Sequence, residues 1–319
     1  MKKRLVLLSV LTACAVTVAP AARAEENRAE GRAEGVGPAG EVAEDAPVHI
    51  HLTREAAEAA ATATRASLAR RTANMTYHGG KIMTSATVKS IFWGPKWSGA
   101  TFTGDKIAGI DSFYAGFNQS HYALTNTEYR DTIGTGHQVG STVLSLTHQI
   151  DTTTASGGNS TAAILAEACR FFTGPNDGSA YYAVYTDLPR GNAGYCAYHS
   201  AGTCGGVPVQ FAFFWSLDGD PGCDPASTVP GHSQGLAALA NVSAHELSEA
   251  MTDPANPGAW FDSSGQENGD KCAWAFNVPS VTFSNGVAWK LQGEWSNAAF
   301  TAGTGYPNRS GQRGCLDGH

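Results

Sequence analysis

The first 75 residues of this 319-residue chain contain no aromatic side chain, and all 30 Phe, Trp and Tyr lie at or beyond Tyr77. A segment without aromatics buries too little apolar surface to offset its chain entropy. One folded domain is therefore expected over residues 76–319, long enough for a sizeable core. That body is also poor in positive charge, with 11 Lys and Arg against 19 Asp and Glu. A phosphate-backbone binder needs a basic face, so nucleic acid is not an expected partner. No apolar run reaches the ~20 residues that cross a bilayer, which excludes a transmembrane segment as an expectation. Close C-x-x-C pairs of the kind that build zinc ribbons are missing as well.

What is present at the N-terminus has the layout of an export signal. Lys2-Lys3-Arg4 precedes the 14-residue run 5–18, and Ala22-Arg23-Ala24 closes a signal peptide over residues 1–24. Leu11-Thr12-Ala13-Cys14 offers a lipid anchor on Cys14 as the alternative. Both place the protein outside the cytoplasm. Six further cysteines (Cys169, Cys196, Cys204, Cys223, Cys272 and Cys315) suit three disulfides in an oxidising compartment. A short Cys196–Cys204 bridge is the pairing expected first. Residues 25–75 read as a low-complexity, propeptide-like segment. Thr53 caps an Ala-rich helix there, and Arg70-Arg71 at its end is a candidate cleavage point.

From Met75 onward strand and helix patterns alternate. Strands are expected at 87–93, 181–185 and 209–215, and helices at 107–117, 160–172 and 235–251, with a hairpin around Asn285-Gly286. The fold class is α+β: a mixed β-sheet flanked by helices, disulfide-stabilised, with one helix of zincin-like motif.

That motif is Ser243-Ala244-His245-Glu246-Leu247-Ser248-Glu249-Ala250-Met251-Thr252-Asp253-Pro254. On a helix, Leu236, Leu239, Leu247 and Met251 share one side, while His245, Glu249 and Asp253 share the opposite, polar one. His245 and Glu249 are then stacked one turn apart, as two ligands of Zn2+ would be, with Glu246 beside them as general base. Glu249 stands where the H-E-x-x-H pattern has its second histidine. A carboxylate can ligate zinc, but its charge makes bound water less acidic. The third ligand is expected at Glu267, 18 residues beyond Glu249, a spacing similar to the distal glutamate of thermolysin-like zincins. Asp253 and Asp270 are the alternatives. This chemistry implies a secreted zinc metallopeptidase acting on extracellular protein or peptide.

Several motifs carry a family resemblance. Tyr77-His78-Gly79-Gly80, Trp93-Gly94-Pro95-Lys96-Trp97, Tyr182-Ala183-Val184-Tyr185-Thr186-Asp187 and Cys196 with Cys204-Gly205 resemble the EXORDIUM (phosphate-induced) secreted proteins of plants, over roughly residues 77–262. The resemblance implies an extracellular protein linked to cell walls, and as a second function a non-catalytic module binding cell-wall glycan. The seven tryptophans are its candidate sugar-stacking groups. The plant proteins read Thr-Asn-Pro at Thr252-Asp253-Pro254 and lack counterparts of His245 and Glu246. The metal motif itself resembles that of secreted bacterial proteins carrying a His-Glu-Leu-x-Glu-Ala-x-Thr-Asp-Pro helix.

Gly231-His232-Ser233-Gln234-Gly235 matches the G-x-S-x-G elbow of serine hydrolases. The elbow needs an apolar strand immediately before it, and residues 224–230 (Asp-Pro-Ala-Ser-Thr-Val-Pro) cannot form one. A glycine-rich entry to a helix explains these residues more simply.

Overall fold

The computed structural model describes residues 40–42, 48–67, 74–255 and 257–319. Eight strands form the main sheet: β1 (Gly40–Val42), β2 (His49–Leu52), β3 (Ala86–Trp93), β4 (Val143–Ser145), β5 (Gln149–Asp151), β6 (Ala180–Pro189), β7 (Tyr195–Cys204) and β8 (Val207–Ser216). The helices that matter here are α1 (Arg54–Ser67), α2 (Lys106–Phe117), α3 (Thr161–Arg170) and α4 (Gln234–Thr252). β6 runs parallel to β3 on one side and to β8 on the other. β7 returns antiparallel to β8, and β1 and β2 share its outer edge. β4 and β5 share the outer edge of β3. The result is the expected mixed sheet with helices on both faces.

The period-two alternation of the strands assigns those faces. Tyr181, Ala183 and Tyr185 of β6, with Ala212 and Phe214 of β8, join the core formed by α2 and α4. Their neighbours Tyr182, Val184, Phe211 and Phe213 join Ile164, Leu165 and Ala168 of α3 in a second core. Sheet strands covered on both sides read as nearly continuous apolar runs, which is why β8 was legible.

β2 precedes the boundary drawn at residue 76. It needs few apolar side chains of its own, because it adds to an existing sheet edge and satisfies its backbone against β7. α1 follows at once, its first turn capped by the Thr53 hydroxyl. The signal segment, Cys14 and Arg70-Arg71 lie outside the described residues.

The six described cysteines all pair, as Cys169–Cys204, Cys196–Cys223 and Cys272–Cys315. The expected Cys196–Cys204 bridge is wrong. Both residues lie in β7, where eight extended steps of ~3.3 Å separate them by about 26 Å, and a disulfide spans only ~4.4–6.8 Å between Cα atoms. The first two bridges instead tie β7 to α3 and to the loop after β8. Disulfides suit an oxidising compartment, and among the described residues no helix is long and apolar enough to cross a membrane. Peptide mapping of unreduced protein should recover these three pairs with no free thiol. A Cys196–Cys204 peptide would refute the β7 assignment.

Candidate metal centre

α4 begins at a cap rather than an elbow. The Ser233 hydroxyl accepts from Leu236 N (3.1 Å) and donates to Asp105 (2.6 Å), while His232 stacks on Trp289. The hydroxyl is engaged as a helix cap and by Asp105, with no histidine bonded to it, so the G-x-S-x-G match is a helix entry.

The helix is then buried on every side, from Gly235 to Thr252. The polar face expected from the sequence is not solvated; β2, β7 and the turn Asn268–Lys271 cover it. His245, Glu246 and Glu249 are each 0% exposed. His245 Nε2 and Glu249 Oε2 stand 3.0 Å apart, yet neither atom makes a hydrogen bond. The two atoms face each other across one helical turn, where a single ion could meet both.

The downstream acidic stretch wraps onto this face through Gly269. A Cβ there would lie 2.6 Å from His245 Nδ1 and 2.9 Å from Glu249 Oε1, so only glycine lets the turn dock. Docking allows Asp270 N to donate to Glu249 Oε1 (2.9 Å) and brings the ligand atoms of His245, Glu249 and Asp270 within 4.8 Å of one another. Glu267, the expected third ligand, faces instead His199 Nε2 (3.4 Å) and His49 Nδ1. Asp253 lies past the helix end, where its carboxylate accepts from Ala259 N; burial and the charge of Glu267 raise it to about 7. It does not join the cluster.

Three histidines were missed by sequence reading. His199 on β7 sits 3.6 Å from Glu249 Oε2. His49 is its direct partner across β2 and β7, and His51 meets the His245 ring edge-on at 3.9 Å between centroids. The spacing His49-Ile50-His51 was the available signal, since period two puts both imidazoles on one face of a strand.

The electrostatics are severe. Burial raises Glu246 well above its ordinary value; His199 opposes this, and Glu249 and Asp270 add to it. Burial also raises Asp270, with Glu249 and Glu267 reinforcing the shift. Burial would raise Glu249 too, but His245 and His199 outweigh it and hold the carboxyl far below the usual range. Within this cluster, both ring nitrogens of His51, both oxygens of Glu246, His245 Nε2, Glu249 Oε2 and Glu267 Oε1 are buried with no hydrogen-bond partner. Among the described residues no Lys or Arg pairs with these carboxylates, and nearby Lys271 is engaged by Asp262 (2.9 Å). An inward-facing cation fits this donor set of imidazole and carboxylate.

One feature opposes that fit. Gln292 Nε2 lies 2.8 Å from His245 Nδ1 and donates to Gly269 O (3.1 Å), while its oxygen accepts from Trp274 N (3.1 Å). In this orientation Nδ1 accepts, which leaves the proton of a neutral ring on Nε2. Ligation by Nε2 requires the other tautomer and a turned amide. Turning it forfeits two hydrogen bonds, about 1–3 kcal/mol each, whereas structural zinc binding supplies ~10–16 kcal/mol.

Comparison of the chain with protein-family models, curated proteins and solved structures finds no match. The tryptophans proposed for glycan stacking are mostly core: Trp93, Trp97, Trp274, Trp289 and Trp295 are all buried. Gly269→Ala should displace the turn, cost about 1–3 kcal/mol through overpacking, and weaken zinc binding at least tenfold by calorimetry. Unchanged affinity would separate the turn from the site.

Proposed function

We propose that the protein is an exported zinc-dependent hydrolase that cleaves peptide bonds in extracellular protein or peptide. The observation that supports it is the set of buried, unpartnered nitrogen and oxygen atoms converging around α4, with Glu246 adjoining them. His245, Glu249 and Asp270 would hold the ion. A bound zinc ion supplies Lewis acidity toward a carbonyl and toward water.

The chain's own contribution is proton management. Glu246 lies within reach of Glu249 and His199, and both its oxygens are free. Desolvation raises its basicity above that of a solvated carboxylate, which suits a group that must take a proton from water and return it to a leaving nitrogen. Gln292 holds the far side of the His245 ring, and Asp270 N holds Glu249. These contacts keep both side chains from turning away.

Access is narrow. A cleft of about 40 Å³, lined by Leu52, Ala57, Gln266, Asp270, Lys271 and Arg309, reaches the edge of the centre. That is room for a few waters, at ~10–15 Å³ each by the same measure, and not for a peptide. A peptide therefore enters only when β2, which packs on α4, moves aside.

Glu246→Gln should retain zinc and lose turnover of a peptide library by ~10²-fold or more, since general acid–base catalysis supplies 10²–10⁴. His245→Ala should lose both. Ser233→Ala should cost only about 1 kcal/mol of stability as a lost cap, with turnover intact. Loss of turnover in Ser233→Ala, with Glu246→Gln active, would transfer the chemistry to the serine.

A further inference from the structure

The second histidine–carboxylate group, on β2 and β7, is not used by the mechanism above. We propose that His49, His199 and Glu267 form a second position for a divalent cation of the zinc type, beside the one held by His245, Glu249 and Asp270. The inference rests on the reading of that first centre and extends it to a two-metal site.

The backbone prepares this group. His49 and His199 are directly opposed in the antiparallel register of β2 and β7. Opposed residues project to the same face with Cβ atoms ~4.5–5.5 Å apart. Their rings stack at 4.6 Å between centroids and 12° between planes, so both face the same space. Glu267 arrives from the loop ahead of Asn268–Lys271, and one oxygen, Oε2, receives both His49 Nδ1 and His199 Nε2. The other oxygen, Oε1, is buried and has no partner.

Hydrogen bonds alone account poorly for this arrangement. One carboxylate oxygen can accept from both imidazoles, but the second oxygen is then still left without a donor. Here both nitrogens crowd one oxygen and the other is orphaned. The ligand atoms of His49, His199 and Glu267 lie within 4.8 Å of one another, close enough for one divalent ion to meet all three.

Glu249 links the two positions. Its Oε1 is occupied by Asp270 N, while Oε2 is unbonded and lies 3.0 Å from His245 Nε2 and 3.6 Å from His199 Nε2. A carboxylate between two ligand groups is the arrangement that bridges paired ions in two-metal hydrolases. Because His49 belongs to β2, the second ion would also fasten this strand over the first.

Elemental analysis of full-length protein purified with zinc and dialysed should find two equivalents. His49 retains 17% side-chain exposure on an edge strand, so His49→Ala is expected to fold and to keep one equivalent. Cobalt titration of metal-stripped wild type provides a measurement free of mutation, and its visible absorbance should break at two equivalents. One equivalent, kept by His49→Ala and lost by His245→Ala, overturns the second position and leaves the first centre standing. One equivalent with the reverse pattern overturns the first centre instead. A wild type with no zinc, and no cobalt break, removes both.

Discussion

The structure depends on how it compensates carboxylates that it has taken out of water. Glu246, Glu249 and Glu267 are fully buried around one helix, and Asp270 adjoins them, without a Lys or Arg partner among the described residues. The effective penalty for a buried ion is several kcal/mol even after relaxation. Three such penalties would match the ~5–15 kcal/mol by which a domain is stable at all. Protonation of Glu246 and Asp270 relieves part of the charge, in the direction that burial drives both groups. Metal ligation relieves it without surrendering the carboxylates as ligands. The orphaned ring nitrogens of His51 and His245 belong to the same account, because protonation of the acids leaves them unpaired.

The rest of the fold positions this cluster. The eight-stranded sheet holds His49 and His199 in register, and α4 lies across that face of the sheet. The Cys196–Cys223 bridge anchors β7 close to where β2 pairs with it, while Cys272–Cys315 secures the segment just after Asp270. Gly269 sets the approach of the acidic turn, since any side chain there would strike His245. Disulfides typically contribute about 2–4 kcal/mol each. That stabilisation offsets part of the cost of an acidic interior.

Much of this was legible before the structure. β8 and α4 announced themselves through a continuous apolar run and through the His245–Glu249 spacing. The number of disulfides followed from an even cysteine count, but their pairing did not. The polar side of α4 was misjudged because helical periodicity records which residues share a face, not what covers it; β2 and β7 supply that cover from about 195 and 45 residues earlier in the chain. β7 itself was missed, since its glycine, serine and cysteine content breaks the alternation that marks a strand. His199 is invisible locally for the same reason. The choice between Glu267 and Asp270 turned on Gly269, whose meaning appears only when the turn is seen against His245.

X-ray absorption at the zinc edge tests the central claim most directly, on protein expressed through its own export route with zinc supplied. A centre built from these residues gives a first shell of nitrogen and oxygen at ~2.0–2.2 Å with imidazole outer-shell scattering and no sulfur. A fall of the zinc edge per protein by half or more in His245→Ala would match ligation from α4. An empty edge, or a shell containing sulfur, would contradict the account.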